Sequence, residues 1–320
     1  MFPSNNNDAF ASIIGRSPVI ESLIRSAQIV AAADVPVLIE GDTGTGKELL
    51  ARALHQSSSR ADKPMVTINC AALHADIVES TLFGHEAGAF TDARERRDGY
   101  VQRAAGGILF LDEIAELPLN MQAKFLRLVE YGECQRVGTN QIEKVDVRIF
   151  AATHTNLLKR IDQGVFRQDL FYRLGVVTLR LPTLHERRRD IPLLAEHFLR
   201  EIAERNNAPA CHFSNDALAL LKQYRWPGNI RELKNVCEHV SALLPGETIE
   251  KDNLPQDIVQ ASKAVSTGYT LPEQGIDMEQ LEIDLIKQAL QHANGNKSRA
   301  ARLLGLSRDA FMYRLKKHGL

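Results

Sequence analysis

One tryptophan and four cysteines are all that the 320 residues contain of those two types. Cys70, Cys134, Cys211 and Cys237 stand far apart, with no Cys-x-x-Cys or Cys/His spacing. That excludes a zinc ribbon and a disulfide framework, and the thiols read as buried or incidental in a reducing compartment. No apolar run approaches the length needed to span a bilayer, and the first residues lack a charged-then-apolar leader. The expectation is a soluble cytoplasmic protein with no membrane insertion. Charge of one sign is also missing: the formal net charge is −1, so any contact with nucleic acid must come from a local patch. Apolar residues make up 44% of the chain, enough for ordinary cores in two or three domains.

What is present begins at Val37. Val37-Leu-Ile-Glu-Gly41-Asp42-Thr43-Gly44-Thr45-Gly46-Lys47 is a short apolar run, a glycine-rich loop and the opening of a helix over Glu48 to His55. Gly41, Gly44 and Gly46 let successive N–H groups turn into one concavity suited to phosphate oxygens. The helix N-terminus adds partial positive charge and Lys47 a full one. Glu48 stands where the general P-loop has a Ser or Thr for Mg²⁺. Gly106 to Glu113 is a second apolar strand ending in two carboxylates, the complement such a loop needs. Asp112 would orient Mg²⁺ through its waters and Glu113 would polarise the attacking water. Further strands are expected at 64–70, ending near the polar Asn69, and at 146–153, ending at Thr153. Strands alternating with helices predict an α/β fold, a mostly parallel sheet with helices on both faces.

Other stretches read less uniquely. Residues 1–12 form a polar tail, after which Ser17 is expected to cap a helix with Pro18 at its first position. Leu82 to Ala93 is a glycine-bearing run whose Phe90 either tucks into the core or, with Thr91, is presented to a partner. Arg167 and Arg173 lie on a short amphipathic segment, either as solvated surface or reaching a neighbour's phosphates. From Arg187 the pattern is wholly helical, broken at Trp226-Pro-Gly-Asn229. Residues 256–277 turn rich in Ser, Thr, Gly and Pro and read as a flexible linker. The last stretch predicts helices near 279–293, 297–304 and 307–317, a helix-turn-helix packed by Ala300, Leu303, Leu304, Phe311 and Leu315. Across 295–320, Lys297, Arg299, Arg302, Arg308, Arg314, Lys316 and Lys317 face a lone Asp309, with Arg308, Asp309, Met312 and Lys316 toward a groove.

These pieces together resemble the bacterial enhancer-binding proteins, the AAA+ activators of σ54 RNA polymerase. The likeness rests on Gly41-Asp-Thr-Gly-Thr-Gly-Lys-Glu48, on Leu82-Phe-Gly-His-Glu-Ala-Gly-Ala-Phe-Thr91 and on Trp226-Pro-Gly-Asn-Ile-Arg-Glu-Leu233. The family has Glu after the P-loop lysine, which accounts for Glu48. The resemblance implies an ATPase over 13–185, a helical lid over 186–255 and a Fis-like DNA-binding domain over 278–320. It implies ATP and Mg²⁺ held by residues 41–48, Asp112 and Glu113, with Asn69 a switch on Glu113. Thr153 would be sensor I, Arg231 sensor II, and Arg167 and Arg173 fingers in trans. The loop Gly88-Ala89-Phe90-Thr91-Asp92-Ala93 would contact σ54, and Lys297, Ser298, Arg299, Ser307, Arg308, Met312 and Lys316 would contact duplex DNA.

The implied function is an ATP-driven activator bound at an upstream enhancer, a dimer growing to a hexamer, which converts σ54 RNA polymerase from closed to open promoter complex. The layout is similar to the short type that lacks an N-terminal regulatory domain, such as the phage-shock operon activator, which implies an inhibitory regulator in trans. The family loop reads Gly-Ala-Phe-Thr-Gly-Ala, whereas Asp92 here replaces its second Gly. That substitution keeps open a DNA-bound AAA+ regulator acting without σ54. A DNA-binding regulator with a vestigial ATPase is the third reading.

Overall fold

Five short strands, four of them foreseen from the sequence, pair into one parallel sheet. The computed structural model describes residues 9–73, 77–90, 93–265 and 275–319, in two units, Met1–Ser262 and Lys263–Leu320. The first unit enters through α1 (Pro18–Ala32), β1 (Val37–Glu40), α2 (Lys47–Gln56) and β2 (Met65–Asn69). Short helices α3 (Val78–Phe83) and α4 (Tyr100–Arg103) precede β3 (Ile108–Asp112) and α5 (Leu119–Tyr131). A hairpin of β4 (Glu133–Gln135) and β5 (Ile142–Lys144) leads to β6 (Arg148–Thr153), α6 (Leu157–Asp162), α7 (Gln168–Leu174) and β7 (Val177–Arg180).

The sheet order is β2-β3-β6-β1-β7, all parallel. Side chains alternate between its faces, as a two-residue period demands. Leu38, Leu109, Leu111, Ile149 and Ala151 pack with α3, α5, α6 and α7. Val37, Ile39, Ile108, Phe110, Phe150 and Ala152 pack with α1 and α2. Helices therefore cover both faces. The register sets Asn69 beside Asp112 and Glu40 beside Thr153, so the strand ends that carry polar residues lie level.

Ser17 sits at the N-cap of α1, but its side chain makes no capping bond. Its hydroxyl donates to Asp190 Oδ2 at 2.6 Å, and Asp190 Oδ1 accepts the N–H groups of Arg16 and Ser17. A buried carboxylate is a stronger acceptor than an exposed helix turn is a donor, so the tertiary bond displaces the local cap. Arg148, buried at the start of β6, donates to the carbonyls of Val30, Ala31 and Val35 and so fixes the end of α1.

A helical lid follows, of α8 (Ile191–Asn206), α9 (Asn215–Gln223) and α10 (Asn229–Leu243). Its core joins Phe198, Leu199, Trp226, Leu233 and Val240. The 256–277 linker expected from composition differs in its first half: α11 (Gln256–Val265) is helical. Ile258 is 2% exposed and packs with Leu254 in the lid core. Ile258 lies in the first turn of α11, its apolar signal masked by the surrounding polar composition. Residues 266–274 lie outside the described residues.

The second unit holds α12 (Met278–His292), α13 (Lys297–Leu303) and α14 (Arg308–Lys317). Asp277, Asn296 and Ser307 cap their N-termini through side-chain oxygens. The core is Ile286, Ala289, Ala293, Ala300, Ala301, Phe311 and Leu315, with Leu304 against it. Leu303, expected inside, is 56% exposed, and Ala301 takes the inward position instead. Among the described residues no helix is long and apolar enough to cross a membrane.

Candidate nucleotide site and DNA-binding unit

Between β1 and α2 the backbone adopts conformations that only glycine tolerates well. Gly44 and Gly46 have φ of +80° and +102°. Thr45 Oγ1 donates to the Asp42 carbonyl at 2.8 Å, closing the turn. Lys47, the first residue of α2, is buried, and its Nζ donates to the Gly41 carbonyl at 3.0 Å, across the loop. Glu48 turns outward and pairs with Arg52 on the surface of α2 at 2.7 Å. It lines the helix rather than the loop.

Glu113 follows β3 in the left-handed region, φ +54°, and its carboxylate lies 3.6 Å from Lys47 Nζ. Asp112 accepts the Glu113 N–H at 3.1 Å. Burial, then the negative charge of Glu113, push the Asp112 carboxyl above its ordinary range, opposed by Lys47. Among the described residues no group of three or more His, Cys, Asp or Glu side chains could hold a metal. One half-buried carboxylate raised by a like charge fits a hard divalent cation that keeps its waters and shares phosphate oxygens. The residues therefore fit Mg²⁺.

Asn69 does not engage Glu113. Its Oδ1 accepts the Ala71 N–H at 2.9 Å, capping the turn after β2, while His154 Nδ1 lies 2.6 Å from Glu113 Oε2. Thr153, 1% exposed, directs its hydroxyl into the next turn, accepting from Thr155 N–H at 3.0 Å. Arg167 is paired with Asp169 at 2.7 Å and Arg173 with Glu130 at 2.8 Å. Both arginines are exposed, and no described contact joins either to Lys47, Asp112 or Glu113 of its own chain.

The lid grips the loop from the other side. Ile230 N–H donates to the Gly44 carbonyl at 3.0 Å. Asn229, 2% exposed, donates through Nδ2 to the Thr43 carbonyl at 3.0 Å and accepts the Leu184 N–H at 2.8 Å. Arg231 Cβ falls 3.1 Å from where a Cβ on Gly44 would stand. The buried Trp226 anchors this corner, its indole N–H donating to Leu221 and its ring edge-on to Tyr224. The Asn229 contact escaped sequence reading; an asparagine after Pro-Gly at a helix start is its one local signal.

The 82–93 run leaves α3 at Gly84, whose φ is +74° and where a Cβ would fall 2.5 Å from the Arg97 carbonyl. His85 pairs its backbone with Arg97, and Glu86 N–H donates to the Val137 carbonyl beside the hairpin. Gly88 N–H donates to the Ala93 carbonyl at 2.7 Å, closing the loop on itself. Phe90 is 44% exposed with its ring 4.9 Å from that of His85, so it does not tuck into the core. Thr91 and Asp92 lie outside the described residues. The buried Arg136 holds the base together, meeting Glu143 at 2.7 Å, Asp98 at 2.8 Å and the Arg97 carbonyl at 3.2 Å.

In the second unit Lys297, Arg299, Arg302, Arg308, Met312 and Lys316 are exposed, and Ser298 is half-buried. Ser307 uses its hydroxyl oxygen as the α14 cap. Arg314 pairs with Glu282 at 2.7 Å, and Lys317 lies 3.7 Å from the same carboxylate, so these two cations brace α12 rather than a groove. Tyr313, 71% exposed on α14, was not among the expected contacts.

Strand order, phosphate loop and lid define the class, a P-loop nucleotide-binding domain of the AAA+ type on the same chain as a helix-turn-helix unit. Comparison with known proteins gives the same three segments. Residues 13–180 match the Sigma-54 interaction domain, 185–270 the AAA+ ATPase lid domain and 277–318 the bacterial regulatory protein Fis family. The chain is 49% identical over 305 residues to the transcriptional regulatory protein ZraR of Salmonella typhimurium, covering 95% of this chain and 68% of that one. It is 43% identical over 312 residues to the regulatory protein AtoC of Escherichia coli, covering 96% and 68%. The crystal structure of NtrX from Brucella abortus in complex with ATP superposes with a TM-score of 0.71 at 38% identity, covering 96% and 69%. The chain belongs to the family of regulators built on the Sigma-54 interaction domain. These relatives extend beyond the shared segment, in contrast to the short layout that the resemblance implied.

Proposed function

We propose that this chain is an ATP-hydrolysing activator that remodels σ54 RNA polymerase from closed to open promoter complex while held on upstream DNA. The observation that carries the reading is the Glu113 carboxylate set beside Lys47 at the mouth of the phosphate loop. The loop N–H groups and Lys47 bind the phosphates of ATP, and Arg231 reaches them from the lid. Asp112 would hold Mg²⁺, which would neutralise phosphate charge. Glu113 takes the proton of the attacking water. Arg167 and Arg173, exposed and paired in their own chain with Asp169 and Glu130, meet a neighbour's nucleotide, so hydrolysis requires assembly, to a hexamer. Relatives named as transcriptional regulators, and the ATP-bound NtrX, support the same assignment.

The loop 88–93 presents Phe90 and Thr91 to σ54, and its base on α3 and the hairpin transmits the nucleotide state. The exposed cations of α13 and α14 hold duplex DNA, as paired units on paired half-sites. In vitro transcription from a σ54 promoter tests this. Open complexes should require ATP and vanish with Lys47→Ala and with Thr91→Ala. Hydrolysis without open complexes in the unaltered chain, restored by Asp92→Gly, would favour the second reading, a DNA-bound regulator acting without σ54.

A further inference from the structure

We infer that His154 is the positioning residue that aims the hydrolytic glutamate, a role additional to those above and resting on the ATPase reading. Strand β3 lies between β2 and β6, so the carboxylate that follows it has a candidate holder on each side, Asn69 and His154. The structure takes the β6 side. Parallel register sets Leu111 beside Ala151, which brings Glu113 level with Thr153 and within reach of the next residue. The Thr153 hydroxyl accepts from Thr155 N–H and turns the backbone at that point. His154 then meets Glu113 Oε2 twice, through Nδ1 at 2.6 Å and through its backbone N–H at 3.4 Å. Asn69, on the other side, is committed to Ala71.

The two carboxylate oxygens thereby have different neighbours. Oε2 is bound to His154, and Oε1 faces Lys47 at 3.6 Å. A glutamate side chain gives up rotamer freedom when fixed, and its backbone here stands in the left-handed region, φ +54°. Holding one oxygen removes that freedom before substrate arrives and leaves the other aimed at the phosphates. In the step itself the water oxygen bonds to the γ-phosphorus as the bond to the β–γ bridging oxygen breaks. The water proton passes to Oε1, and ADP and phosphate leave. The His154 side chain is 41% exposed, so its loss opens no cavity, and a residue of merely structural use there would change little.

The test uses the full chain and its His154→Ala, His154→Asn and Glu113→Ala variants. Asparagine places an amide N–H near the position of Nδ1. The expected result is a kcat for ATP hydrolysis lowered about a hundred-fold in His154→Ala, with KM and binding of a fluorescent ATP analogue unchanged, and largely restored in His154→Asn. An unchanged or raised kcat, or a loss of nucleotide binding in parallel, overturns the inference. A second readout needs no turnover. In chain labelled with 15N-histidine, above the imidazole pKa range, the His154 ring should carry its proton on Nδ1 and shift toward the Nε2 form in Glu113→Ala. A ring signal indifferent to Glu113→Ala overturns the contact and the inference together. If that signal responds but unaltered chain, assembled and on DNA, turns over no ATP, the hydrolytic reading fails and takes the positioning role with it.

Discussion

A methyl group on Gly44 would lie 2.3 Å from the Gly228 carbonyl oxygen, at a φ of +80°. Gly44→Ala should therefore push the lid from the phosphate loop and lower stability by about 1–3 kcal/mol, read as a drop in Tm with weakened nucleotide binding. At the loop base, the hydrogen bond from Arg136 holds the Glu143 carboxyl below the ordinary glutamate range. The pair's stabilisation is complete above the unfolded-state pKa and is lost as pH falls through the lowered one. Glu143→Gln should flatten the acid limb of a Tm-against-pH profile, leaving the neutral limb lower. Residues of this kind divide by sequence distance. Lys47 and the Asp112-Glu113 pair were readable because loop chemistry and strand-end acidity are written in adjacent letters. Arg136 and Asn229 were not, since Asn229 meets Thr43 across 186 positions and no local pattern records that meeting.

At the scale of elements, β7 went unread because two of its four residues are polar and exposed, whereas β1, β2, β3 and β6 were readable from their large apolar residues. Their order was not, because it depends on which crossover each helix makes. The β4–β5 hairpin went unseen for a different reason: its three-residue strands carry Glu, Gln and Lys beside Cys134 and Ile142, and backbone pairing rather than burial holds them. Capping shows the same limit, for Ser307 bonds its own helix while Ser17 is drawn away by Asp190. Ser307→Ala should destabilise the second unit by about 1 kcal/mol, seen in its unfolding transition, and weaken DNA binding equally for all sequences. Asn229→Ala leaves the buried Leu184 N–H unpaired, a cost of about 1–3 kcal/mol. Urea unfolding should show it as a lower midpoint at an unchanged m-value.

For the whole molecule, a net charge of −1 conceals a division of labour between units. Lys297, Arg299, Arg302, Arg308 and Lys316 are exposed, while Arg314 is paired with Glu282 of α12 and Lys317 lies beside the same carboxylate. Lys316→Ala should lessen the slope of log K for DNA against log salt by about 1. Arg314→Ala should leave that slope unchanged and lower the unit's Tm instead. The tally of charges along 295–320 could locate the patch but could not tell these two cations apart.

The chain has one tryptophan, and it stands three residues before the asparagine that bonds the phosphate loop. Trp226 is 1% exposed and edge-on to Tyr224, so light absorbed beyond the tyrosine band is re-emitted from a single ring at the corner where lid meets loop. Seating of nucleotide that shifts this corner will alter the colour or brightness of that emission. Trp226 is thus an optical gauge of that corner, and a stopped-flow trace of unlabelled chain mixed with ATP should time its response.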